Sequence, residues 1–152
     1  MKILIVEDDV NKRVQIYDFI SSEMPGSGIS TARSYNSALT GILATRPELI
    51  ILDMSMPTYD VSLEEHGGRP QHFAGREIMR QIDRREFSIR VIVVTQFDVF
   101  GEGSEAMTRS QLDDQLKSEH DRYLGMVYYN AATDGWKTDL ARMLTPLKKE
   151  PK

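Results

Sequence analysis

Apolar residues cluster in four short blocks, 3–6, Leu49–Leu52, 91–94 and 126–129. Within each block the apolar character is continuous rather than alternating, which is the pattern of strands covered on both faces in a parallel sheet. A weaker block, Gly28–Ala32, predicts an edge strand. Between the blocks the apolar positions fall at helical spacing: Val10, Val14 and Tyr17; Ala38, Leu39, Ile42 and Leu43; Ile78, Met79 and Ile82; then Trp136, Leu140, Met143, Leu144 and Leu147. Each set predicts a helix with one apolar stripe turned to the core.

Start and stop signals agree with this alternation. Asp9, Ser34 and either Thr133 or Asp134 stand where helices begin, and Pro25-Gly26 and Pro47 stand where helices end. The order β-α repeated five times predicts the α/β class: a doubly wound, five-stranded parallel sheet with right-handed crossovers and helices on both faces, flavodoxin-like. Two connections are long. Positions 58–73 include Glu64, Glu65, Gly67, Gly68 and Pro70 and predict an exposed, movable insertion. Positions 97–103 predict a loop, followed by a polar helix over 104–117 with Met107, Leu112 and Leu116 inward. Pro146 is expected to kink or end the last helix. Residues 1–148 read as one domain with a short tail, 149–152.

Composition narrows the classes. The 152 residues suit a single domain, and no stretch is apolar enough to span a membrane. With 19 basic and 23 acidic residues the formal net charge is -4, so nothing global draws the chain to nucleic acid or an anionic membrane. The absence of cysteine removes disulfides, thiol nucleophiles and Cys-type metal sites, and a cytoplasmic location is the expectation.

The candidate chemistry lies where strands end. Glu7, Asp8 and Asp9 follow the first strand, and Asp53 follows the third. In a doubly wound sheet of order 2-1-3-4-5, an order taken from that class of folds, strands one and three are neighbours and their carboxyl ends form the switch-point crevice. Carboxylates gathered there repel one another unless a cation neutralises them, and an oxygen-only ligand set with room for water favours Mg²⁺. Mg²⁺ beside a lone carboxylate suits phosphoryl transfer onto it, with Asp53 as nucleophile and Glu7 and Asp8 as the metal-holding pair. Thr95 closes the fourth strand, where its hydroxyl faces the same rim.

These residues give the chain its likeness. The segments Lys2-Ile-Leu-Ile-Val-Glu7-Asp8-Asp9, Leu49-Ile-Ile-Leu-Asp53-Met-Ser-Met-Pro57 and Val91-Ile-Val-Val-Thr95, in that order across nearly the whole chain, resemble the receiver domain of two-component response regulators. The resemblance implies Asp53 as phosphoacceptor, Glu7 and Asp8 as the metal-holding acids, Ser55 as a residue whose backbone carbonyl helps hold the metal, and Thr95 as the switch hydroxyl. It further implies a histidine kinase or phosphotransfer protein as donor and a downstream protein target. A homodimer is compatible with it, and direct nucleic-acid or membrane binding is not expected. As a stand-alone receiver it would signal through the surface of the fourth helix, fifth strand and fifth helix.

Two departures accompany the resemblance. The family pattern ends its fifth strand with a Lys-Pro whose Lys pairs with the phosphoryl group, whereas the window here is Met126-Val-Tyr-Tyr-Asn130. Lys137 lies downstream, on the last helix, and is not expected at the site. The insertion over 58–73 delays the comparable Gly75 and is placed to gate access or bind a partner. The missing Lys motivates an alternative, a phosphorylation-independent pseudo-receiver acting as a protein-interaction module. A Mg²⁺-dependent phosphatase is the weaker third reading, because Ser55 stands where such enzymes commonly place a second Asp. Simpler roles compete elsewhere: His66 and His72 as loop residues, His120 as solvated, and Trp136 as core.

Overall fold

Three strands are apolar at nearly every position, and these three take the middle of the sheet. The structure, a computed structural model, describes residues 1–60 and 71–149. Strands β1 (Lys2–Val6), β2 (Gly28–Ala32), β3 (Leu49–Leu52), β4 (Arg90–Thr95) and β7 (Tyr123–Tyr128) form a parallel five-stranded sheet in the order β2-β1-β3-β4-β7. Central β1, β3 and β4 are buried almost throughout, while edge β7 alternates between buried and exposed positions. The runs at 3–6, Leu49–Leu52 and 91–94 are covered on both faces as expected, whereas the run at 126–129 falls in the edge strand β7, whose alternate positions face solvent, Tyr128 among them.

Alternate residues of each central strand feed two cores. Leu4, Val6, Ile50, Leu52, Val91 and Val93 face α2 (Tyr35–Thr45), α3 (Ala74–Arg84) and α4 (Arg109–Glu119). Ile3, Ile5, Leu49, Ile51, Ile92 and Val94 face α1 (Val10–Glu23) and α5 (Gly135–Lys148). The expected fold class, strand order and two-faced helix cover are all present.

Several local expectations are corrected. The buried face of α1 is Lys12, Ile16 and Ile20, while Val10, Val14 and Tyr17 are 57, 50 and 41% exposed. Positions 10 and 12 lie about 200° apart around a helix, so burying one stripe turns the other out. Across 97–108 the chain makes a small antiparallel hairpin, β5 (Val99–Phe100) with β6 (Met107–Thr108), around a single 3-10 turn at Gly103–Glu105. Helix α4 starts later than expected because Thr108 and Gln111 form a reciprocal capping box. Helix α5 does not end before Pro146 but runs through it to Lys148, the proline falling in its last turn, where the Thr145 hydroxyl donates to the Ala141 carbonyl at 2.8 Å. Finally, His120 is buried and bonded through Nδ1 to Asp83, fastening the end of α4 to α3.

Of the insertion expected over 58–73, positions 61–70, with Glu64, Glu65 and His66, lie outside the described residues. Its far side returns through a bridge between Met56 and Gln71, and His72 is exposed. Positions 150–152 of the expected tail are likewise outside them.

Candidate functional site

The acids arrive together because their strands are in register. Val6 pairs with Leu52, so Glu7 and Asp53 leave the sheet side by side. The Asp53 N–H donates to the Val6 carbonyl at 3.1 Å, and the Glu7 N–H to the Ala32 carbonyl at 2.9 Å. One carboxylate oxygen each from Glu7, Asp8 and Asp53 lies within 4.8 Å of the others. Glu7 and Asp53 are buried and Asp8 is exposed, so the cluster is open to solvent on one side.

Asp9 caps α1, its carboxylate accepting from the Lys12 N–H at 3.3 Å, and its own N–H donates to Glu7 Oε2 at 3.0 Å. This turn points the start of α1 and the Glu7 side chain into one corner. Asp53 Oδ1 accepts from the Met54 N–H at 2.7 Å. Ser55 is half-buried in the connection beyond β3. Thr95 is fully buried at the end of β4, and its Oγ1 accepts from the Phe97 N–H at 3.2 Å. A hydroxyl that accepts there still carries a proton of its own to donate.

The residue that sequence reasoning missed is Lys12. Its side chain is 0% exposed, and its Nζ lies 2.6 Å from Glu7 Oε1, 3.1 Å from Asp53 Oδ2 and 2.9 Å from the Val94 carbonyl oxygen. An ammonium out of water is costly unless it is paired and hydrogen-bonded, and here it is ion-paired with two carboxylates and donates to one carbonyl. The Tyr129 ring lies beneath it, with the centroid 5.7 Å from Nζ. The signal was present in the sequence as spacing: Lys12 stands four residues before Ile16 and eight before Ile20, on the core stripe of α1.

Electrostatics follow from burial. Burial works against the Lys12 charge, but Asp53 and Glu7 outweigh it and hold the ammonium above the ordinary lysine range. Glu7 is pushed up to about 8, by burial first and by the Asp53 charge second, with Lys12 opposing. Asp53 is raised as well, by burial, against the pull of Lys12 and the Met54 N–H. Three carboxylates facing one ammonium leave formal negative charge uncompensated, and the donors are all oxygen. That donor set fits a hard dication.

At the end of β7, Tyr129 is buried and its N–H donates to the Thr95 carbonyl at 2.7 Å, while Asn130 is exposed. Lys137 is held at the start of α5 by Asp134, 3.4 Å away, over the Trp136 ring.

A parallel sheet of this order with acids at its switch point is the receiver fold, the fold of response-regulator receiver domains, and the chain is similar to a response regulatory protein along its whole length. It is 36% identical over 141 residues to the uncharacterized protein y4jR of Sinorhizobium fredii, covering 91% of this chain and 93% of that one. To the Detocs response regulatory protein DtcB of Enterobacter cloacae it is 29% identical over 150 residues, 97% of this chain and 100% of the relative. Among solved structures, the isolated receiver domain of RcsB from Salmonella enterica serovar Typhimurium, in the presence of phosphomimetic BeF3-, superposes with a TM-score of 0.67 at 18% identity, covering 100% of this chain and 91% of that one. The signal receiver domain of a Luxo repressor protein from Vibrio parahaemolyticus gives 0.60 at 20% identity, covering 97% and 92%. No family model matches the chain. Among the described residues no helix is long and apolar enough to cross a membrane.

Proposed function

We propose that this receiver takes a phosphoryl group onto Asp53 in a Mg²⁺-dependent reaction and signals through changed protein contacts. The observation that carries the reading is the convergence of Glu7, Asp8 and Asp53 within 4.8 Å at the carboxyl ends of β1 and β3. The fold likeness to a receiver solved with a phosphomimetic supports it.

In this reading the donor is a phosphohistidine on a histidine kinase or phosphotransfer protein. An Asp53 carboxylate oxygen attacks phosphorus in line and a new O–P bond forms. The P–N bond breaks, and the imidazole leaves with the electron pair and takes up a proton from solvent. Glu7, Asp8, Asp53 and the Ser55 backbone carbonyl would hold Mg²⁺, which supplies neutralisation of the phosphoryl oxygens when bound. Thr95 donates its hydroxyl proton to a phosphoryl oxygen. Since Thr95 Oγ1 also holds the Phe97 N–H, a shift of that hydroxyl reaches the segment leading to the β5–β6 hairpin. The output surface is then α4, β7 and α5, where Tyr128 is exposed beneath the Arg109 guanidinium. Its partner is a downstream protein or a second copy of the chain, in the cytoplasm, with residues 1–148 acting as one domain.

The absence of a lysine from β7 and its end favours the second reading, a phosphorylation-independent interaction module. Intact mass after incubation with acetyl phosphate and Mg²⁺ separates the two. Gain of one phosphoryl group, lost in Asp53→Asn, supports the phosphoacceptor. An unlabelled chain whose partner binding is indifferent to Asp53→Asn supports the module.

A further inference from the structure

We propose that Lys12 is the cation that pairs with the phosphoryl group on Asp53, delivered from the first helix rather than from the end of the last strand. This rests on the phosphoacceptor reading above and assigns the residue that completes it.

Position argues first. Lys12 Nζ is 3.1 Å from Asp53 Oδ2, an oxygen of the reacting carboxylate, so any group bonded to that carboxylate lands beside the ammonium. Its burial at 0% exposure removes competing water, which makes the charge count for more than at a surface. Among the described residues Lys12 is the cation ion-paired with Asp53, whereas Arg13 holds the Glu7 backbone carbonyl at 2.9 Å and Lys137 is occupied by Asp134.

The room usually given to a strand-end lysine is filled here. Tyr129 is buried where β7 ends, with its ring under the Lys12 ammonium. The two residues read as a pair: the cation has moved across the pocket to α1, and an aromatic face stands in its place. The ammonium is held by two carboxylates, Glu7 and Asp53, and by its hydrogen bond to the Val94 carbonyl. When Asp53 is esterified, its own charge is replaced by the larger charge of the phosphoryl oxygens, and the Lys12 N–H that faced Asp53 Oδ2 turns to one of them. Lys12 keeps its proton throughout and makes or breaks no covalent bond. Because the Val94 contact ties α1 to β4, that turn is felt in α1.

The chain carries its own reporter, since its single tryptophan, Trp136, packs tilted against Tyr129, with ring centroids 5.1 Å apart, and edge-on against Phe19 of α1 at 5.5 Å.

The test compares the full chain with Lys12→Gln and with the swap Lys12→Met/Tyr129→Lys, which returns the cation to the strand end across the 5.7 Å contact. With acetyl phosphate and Mg²⁺, intact mass should show Lys12→Gln labelled about a hundredfold more slowly than the parent. The swap should regain much of that loss, and the Trp136 emission change on adding beryllofluoride should shrink in Lys12→Gln. Labelling of a folded Lys12→Gln at the parental rate overturns the assignment while leaving Asp53 as phosphoacceptor. An unlabelled parent removes both the assignment and the reading beneath it. Should the variants fail to fold, the unaltered chain decides: the nitrogen resonance of the Lys12 ammonium must shift when beryllofluoride and Mg²⁺ bind, and an unmoved resonance overturns the proposal.

Discussion

Gly75 in the first turn of α3 backs onto Asp53 so closely that a Cβ there would stand 2.5 Å from the Asp53 carbonyl oxygen. The same atom would meet Met54 Cε at 2.6 Å, and the Gly75 N–H donates to the Met54 carbonyl at 3.0 Å. The start of α3 thus holds the backbone of the acceptor loop from behind. Gly75→Ala should cost about 1–3 kcal/mol, because backbone rather than a flexible side chain must give way. Urea unfolding of the variant measures it, and an unchanged midpoint contradicts the contact.

The face that α1 buries makes a paired prediction. Ile16 is 1% exposed and Val14 is 50% exposed, although the two residues have similar apolar side chains. Ile16→Ala should lose about 2–5 kcal/mol, the range for large-to-small changes in a packed core. Val14→Ala should stay within about 0.5 kcal/mol of the parent, as exposed substitutions do. Equal losses in chemical denaturation would mean that α1 is rotated.

Tyr123 sets an alkaline limit. Its hydroxyl donates to Asp113 Oδ1 at 2.5 Å, and burial first, then that bond and the Asp113 charge, raise its pKa above the ordinary tyrosine value. A group raised in the folded state contributes fully below its unfolded pKa of about 10 and loses that contribution as pH climbs toward the folded value. Stability of the parent should therefore fall more steeply above about pH 10 than that of Tyr123→Phe. At neutral pH the variant should be weaker by about 0.5–1.5 kcal/mol for the lost hydrogen bond. Melting temperatures across that pH range test both signs.

Backbone strain after α3 offers a stabilising change. Glu86 is exposed and sits at φ 57°, a left-handed conformation that a side chain disfavours. Glu86→Gly should gain up to about 1 kcal/mol, while Glu86→Ala, which keeps a Cβ, should not. Thermal melts of the two variants side by side decide it.

Much of this molecule is legible from its chain alone. Runs such as Leu49-Ile-Ile-Leu52 can be satisfied only between two layers of helices, so the sequence determined a covered parallel sheet and the acids that follow its strands, whereas which run lies at the edge, as 126–129 does, was decided by the fold. Acids directly after neighbouring parallel strands must emerge at one edge, and Glu7, Asp8 and Asp53 do. Tertiary structure decided what local pattern leaves degenerate. Val10, Val14 and Tyr17 make as good an apolar stripe as Ile16 and Ile20, and the choice between them turns on whether a lysine can be buried. That depends on acceptors from Glu7, Asp53 and Val94, which are distant from one another in the chain and meet only once the sheet has formed. The same holds for His120, which reads as a surface residue until Asp83 on another helix is brought to it. Periodicity reports which residues avoid water, whereas the partners that make a buried charge tolerable are supplied by the whole fold.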